Sequence, residues 1–121
     1  MGLSKLNESK LLADAESAFD SGDETRAITI LESLCDSGVV EAMAALGVIY
    51  QTRAVSDAEG KRVIALLSHA AEHGSGLAAH NLATAYVTGL PGVPVNLEAS
   101  RKYLQLAKSL GVELVPSRMY E

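Results

Sequence analysis

Three glycines, Gly38, Gly74 and Gly111, each close an apolar run with helical spacing, and they stand 36 and 37 residues apart. Self-similarity at such a period is the mark of a repeat architecture and limits the chain to stacked supersecondary units. Other positions keep the same step. Ala42, Leu46 and Tyr50 recur as Ala78, Leu82 and Tyr86. Leu31, Leu67 and Leu104 share one register position, Leu34, Ala70 and Ala107 a second, and Ala27, Val63 and Ser100 a third. The N-terminal segment joins the series with Leu11, Ala15 and Phe19, a phenylalanine keeping the aromatic ring where tyrosine stands later.

Each unit reads as two helices. Ala42, Leu46, Ile49 and Tyr50 form one apolar stripe, and Ile28, Leu31, Leu34 and Cys35 form the stripe of a partner helix. Asp23 and Asn96 stand at equivalent places where a side-chain oxygen caps free N–H groups. The middle unit uses "SDAE", a capping box of Ser56 and Glu59. Gly22, Gly38, Gly74, Gly89 and Gly111 supply left-handed helix ends. The expected helices are 5–20, 24–36, 40–53, 57–72, 76–88 and 97–109.

Two such helices cannot bury their apolar faces alone, but stacked units can. The expected fold is therefore all-α: a short α-solenoid in one domain, with repeats at 4–38, 39–74 and 75–111 and a tail at 112–121. Composition agrees. Apolar residues make up 48% of the chain and aromatics only 4%, so alanine and leucine carry the core, which suits closely packed helices better than a sandwich.

The stretch from "HAAEHG" (69–74) through "AAHNLATAY" (78–86) to "GLPGVPVN" (89–96) resembles the Sel-one-like repeat, a relative of the tetratricopeptide repeat. That family's unit runs Lys-Ala-Ala-Glu-x-Gly, then Ala-x-x-x-Leu-Gly-x-x-Tyr, then Gly-x-Gly-Val-x-x-Asp. Here Ala83 replaces the glycine after leucine, Asn96 replaces the capping aspartate, and Leu90-Pro91 makes the loop one residue longer. The middle unit keeps "AMAALGVIY" (42–50) but has "QTRAVSDAEG" in place of the Gly-Val-Pro loop, and "FDSGDETRAITILESLCDSG" resembles a generic tetratricopeptide unit. The resemblance covers about residues 8–111. It implies an adaptor: a non-enzymatic module that binds a protein or peptide in a groove lined by the first helix of each unit.

By that analogy the groove carries Lys10, Asp14, Ser17 and Asp20 from unit one, Glu41, Ala44, Val48 and Gln51 from unit two, and Leu77, His80, Asn81, Thr84 and Thr88 from unit three. This is a surface of mixed polarity. It lacks the lysine and arginine cluster of the related clamp that grips a C-terminal carboxylate.

One motif points elsewhere. "HAAEH" places His69 and His73 one helical turn apart with Glu72 between them, which is how a reversed zincin site is written. A catalytic zinc needs three protein ligands, and His80 lies across the Gly74–Gly76 turn. In the resembling family the alanines and glutamate are ordinary helix residues, and His73 sits at a helix C-terminus where positive charge is favourable. The expectation is no metal, no cofactor and no catalysis. Cys35, the single cysteine, lies in an apolar helical stretch and reads as a small core residue.

Charge bounds the partners. The net charge of −5 argues against nucleic acid and anionic membranes. Residues 1–60 hold eleven acidic and four basic residues, a balance of −7, whereas 61–121 hold four acidic and six basic, a balance of +2. The alternative to an adaptor is an inhibitor or immunity-type protein that covers a basic partner with its acidic half. No targeting signal or spanning segment is legible, so the expected location is the cytoplasm. The last helix carries Tyr103, Leu104, Leu106, Ala107 and Leu110, more apolar surface than one neighbour covers. A homodimer through Tyr103, Leu106 and Leu110 is expected in preference to a folded-back tail, because Pro116 leaves the tail little to cover them with.

Overall fold

A computed structural model describes residues 4–112; of the expected tail only Val112 falls within it. Among the described residues the chain is all-helical, with α1 Lys5–Asp20, α2 Glu24–Asp36, α3 Val40–Gln51, α4 Asp57–Glu72, α5 Gly76–Thr88 and α6 Leu97–Ser109. The capping residues set most starts. Asp23 accepts from the Arg26 N–H at 3.1 Å and Asn96 from the Ala99 N–H at 3.0 Å. Ser56 and Glu59 form both halves of a capping box. The sequence reading missed Ser4 and Ser75, which cap α1 and α5. Helix α3 has no side-chain cap, and Val39 at that place is buried instead.

Four helix ends share one closure. Gly22, Gly38, Gly74 and Gly111 all have φ between 82° and 97°. Each glycine N–H bonds the carbonyl three residues back, and the next N–H reaches five back, to Ala18, Leu34, Ala70 and Ala107 in turn. This is the Schellman pattern, and it satisfies carbonyls the helix leaves free. Gly89 differs. Its φ is 76° but its ψ is 158°, outside the left-handed helical well. It starts a tight reversal in which Leu90 and Val93 exchange two backbone hydrogen bonds of 2.9 and 2.8 Å. Helix α3 ends at Gln51, two residues short of the expected 53. There the Thr52 hydroxyl donates to the Ile49 carbonyl at 2.8 Å and the Arg53 N–H turns back to Tyr50, which stops propagation.

Consecutive helices pack as a solenoid, most closely in the pairs α1–α2, α3–α4 and α5–α6. Small residues permit this. A Cβ on Gly47 would stand 2.6 Å from Cδ2 of Leu67, so α4 lies directly on α3 at that point. A Cβ on Gly60 would fall on the Pro91 carbonyl oxygen, and one on Gly92 would lie 2.8 Å from the Asp57 Cα. The 89–96 loop is therefore seated on the first turn of α4. Ser100, buried at the register position of Ala27 and Val63, donates its hydroxyl proton to the Ala83 carbonyl at 2.9 Å and ties α6 to α5.

The core divides. Val63, Leu67, Ala78, Ala79, Leu82 and Ala107 belong to one cluster, and Ala15, Leu31, Leu34, Ala42 and Leu46 to another. Burying each large aliphatic side chain contributes about 1.5–3 kcal/mol. Beyond sequence neighbours, α3 also packs on α5, but α1 and α3 share no comparable contact.

Candidate interaction groove

The gap between α1 and α3 is an open cavity of about 500 Å³. Leu12, Ala15, Glu16 and Phe19 line it from α1, and Leu31 from α2. Glu41, Ala45, Val48 and Ile49 line it from α3, and Leu77 closes one side from α5. Side-chain size accounts for the gap. Ala44, Ala79 and Ala83 are buried and let α3 and α5 approach. Between α1 and α3 stand Leu12, Phe19, Val48 and Ile49, whose bulk holds the helices apart. Phe19 is 48% exposed and Leu77 55% exposed, while among the described residues Glu16 and Glu41 supply the only charges of the lining.

The aromatic position shows how unit one differs. Tyr50 donates its hydroxyl proton to Glu32 at 2.6 Å, and the Arg62 guanidinium lies 5.1 Å from its ring centre. Tyr86 stacks on Tyr103, with ring centres 5.9 Å apart. In unit one the ring is Phe19, which has no hydroxyl and lines the cavity.

The residues expected in the groove are spread over the surface. Glu41 lines the cavity, as do Val48 and Leu77. Asp14 and Ser17 lie instead in a separate small depression with Ser21, Asp23 and Arg26. Lys10 and Asp20 are exposed on α1. Ala44 is 2% exposed, in the core and not the groove, because the α3–α5 approach covers it. The Gln51 amide donates to the Asn81 carbonyl at 3.3 Å, and the Asn81 amide donates to the Leu77 carbonyl at 2.9 Å. Thr84 and Thr88 are exposed and donate to the His80 and Thr84 carbonyls at 3.3 and 3.0 Å; His80 is half-buried. The polar groups thus bond their own stack, and the cavity is chiefly apolar where mixed polarity was expected.

The sequence reading missed Leu12, Glu16, Phe19 and Ile49 as groove residues. Phe19 and Ile49 were absorbed into the core stripe. The available signal was Glu16, which occupies the register position of Gly47 and Ala83. A carboxylate replaces a small packing residue only where the helix face stays open.

Three other features lie apart from the cavity. The His69 and His73 rings stack with centroids 4.3 Å apart, and His73 Nδ1 lies 2.8 Å from the His69 carbonyl oxygen. Among the described residues no third His, Cys, Asp or Glu joins them to make a metal-binding group. Cys35 is half-buried, and burial, reinforced by Asp36, pushes its thiol up to about 11. At pH 8 its thiolate fraction is then on the order of 100-fold below that of a free cysteine, so iodoacetamide should label it slower by about that factor. Labelling at the free-thiol rate would show that the thiol is solvated. On α6, Tyr103 and Leu106 pack against the chain's own core and Leu110 is 38% exposed, so little of the expected dimer face is free. No described helix is long and apolar enough to cross a membrane.

Comparisons with family models, with curated proteins and with solved structures gave no match.

Proposed function

We propose that this chain is a non-enzymatic interaction module, a tetratricopeptide-like adaptor of the Sel-one-like kind, which takes a protein or peptide segment between α1 and α3. The observation that carries this reading is the opening itself. A well-packed stack leaves two large apolar side chains, Phe19 and Leu77, about half exposed at the mouth of a 500 Å³ cavity. Binding clefts of roughly 300–1,000 Å³ with apolar walls and few polar groups are the common form of a recognition site. Phe19 and Leu77 differ from the other exposed apolar side chains in sharing one apolar concavity, and contiguous apolar surface rimmed by polar groups marks interaction sites.

The test places a photo-reactive phenylalanine analogue at Val48, in the cavity, or at Lys102, on α6, in cells that make the protein. Covalent adducts from Val48, with none from Lys102, are the expected result. Adducts from Lys102 alone would move the binding surface to the other end of the stack and end the proposal.

A further inference from the structure

We infer that the occupant of the α1–α3 cavity is a cationic amphipathic segment: a short helix or extended peptide with large apolar side chains on one face and lysine or arginine beside them. This deepens the interaction-module reading and rests on it. The cavity walls are aliphatic and aromatic, so burial of apolar side chains is the driving force. The two charges of the lining, Glu16 on α1 and Glu41 on α3, are both exposed and both negative. Among the described residues no lining residue is a cation.

A bound segment therefore meets an apolar floor with a carboxylate on each of two walls. A lysine or arginine flanking its apolar face reaches these groups without being buried, because its aliphatic stem lies along apolar surface while the charge stays at the rim. A segment with acidic residues at those places meets like charge, and that repulsion is how an interface rejects wrong partners. The wider field acts in the same sense. The balance of −7 over residues 1–60 attracts cations towards this half of the molecule and slows the approach of anions. A second copy docking through its own N-terminal half would meet like charge, since that half also carries a balance of −7.

The experiment uses two fluorescein-labelled helical peptides about 14 residues long, four turns. One is built from leucine and lysine. The other has the same leucine pattern with glutamate for lysine. Binding to the full chain is read by fluorescence anisotropy. The leucine–lysine peptide should bind about tenfold or more tightly than its acidic counterpart, which corresponds to ~1.4 kcal/mol. Changing Glu16→Lys and Glu41→Lys together should reverse the order. Phe19→Ser and Leu77→Ser, both at about half-exposed positions, should weaken the preferred peptide about tenfold while the helical circular dichroism of the chain stays unchanged.

Equal binding of both peptides, still lost in Phe19→Ser and Leu77→Ser, overturns the cationic class but leaves the groove as a docking site. Binding of the basic peptide that ignores both serine variants shows attraction to acidic surface elsewhere, and overturns this inference and the groove reading together. Failure of both peptides to bind also overturns the inference.

Discussion

Gly60→Ala will lower the stability of this protein by about 1–3 kcal/mol, although the substitution is made inside a helix. Helix propensity alone argues the other way. Alanine is favoured over glycine in a helix interior by about 1 kcal/mol, so in isolation the change would strengthen α4. The surroundings decide against it. Gly60 is buried, and a Cβ there would clash with the backbone carbonyl oxygen of Pro91. A flexible side chain could swing away, but a carbonyl within a reversal closed by two hydrogen bonds moves only with the whole loop. That loop has a second close approach, Gly92 over the Asp57 Cα, so a shift at Pro91 disturbs both. A urea midpoint lower than that of the wild type is expected. A raised midpoint would mean that the loop does not sit on α4.

Leu67→Ala will cost about 2–5 kcal/mol, a large share of the total for a domain of this size. Leu67 has no exposure and is packed within the larger core cluster. Its neighbour makes the result more informative. Gly47→Ala alone should also destabilise, because the new Cβ lies 2.6 Å from Leu67 Cδ2 and a fully buried leucine has nowhere to turn. In the Leu67→Ala background the same methyl enters vacated space. Adding Gly47→Ala should then recover stability, with a coupling of about 0.5–3 kcal/mol in the double-mutant cycle. Strictly additive losses would show that α3 and α4 do not meet at these residues.

Much of the fold was legible because its determinants are local. Asp23, Ser56 and Asn96 mark helix starts by a bond to a backbone three residues on, and Gly22, Gly38, Gly74 and Gly111 mark ends by a positive φ. Both signals lie within one turn of the boundary they set. The end of α3 was misplaced by two residues because Thr52 stops it with a hydroxyl bond that many threonines do not make. The role of Gly60 was not legible. It depends on a loop some 30 residues further on settling against it.

The groove was the least legible part, for a similar reason. Repeat register tells which residues face outward but not how far apart two helices stand. Gln51 and Asn81 were read as groove-facing amides, and both are occupied with the stack's own backbone. The apolar character of the cavity follows from α1 and α3 failing to close, a property of two helices and not of either sequence alone. Only the Glu16, Gly47, Ala83 series carried a trace of it.

The divided core has a consequence for cooperativity. Each end helix has one packed partner, but α6 is also fastened to α5 by the Ser100 bond and the Tyr86–Tyr103 stack. Helix α1 buries only Ala15 and Ala18 and packs closely on α2, reaching α3 only through side chains of the shared core cluster. In a linear array, where each unit is stabilised by nearest neighbours, the end with the weakest coupling frays first. Amide protons of α1 are therefore expected to exchange faster than those of α3–α6 in a hydrogen-exchange measurement, through a partial opening that leaves the rest folded. A segment bound there, as proposed, would supply the missing coupling, and the first unit would then be expected to melt together with the rest.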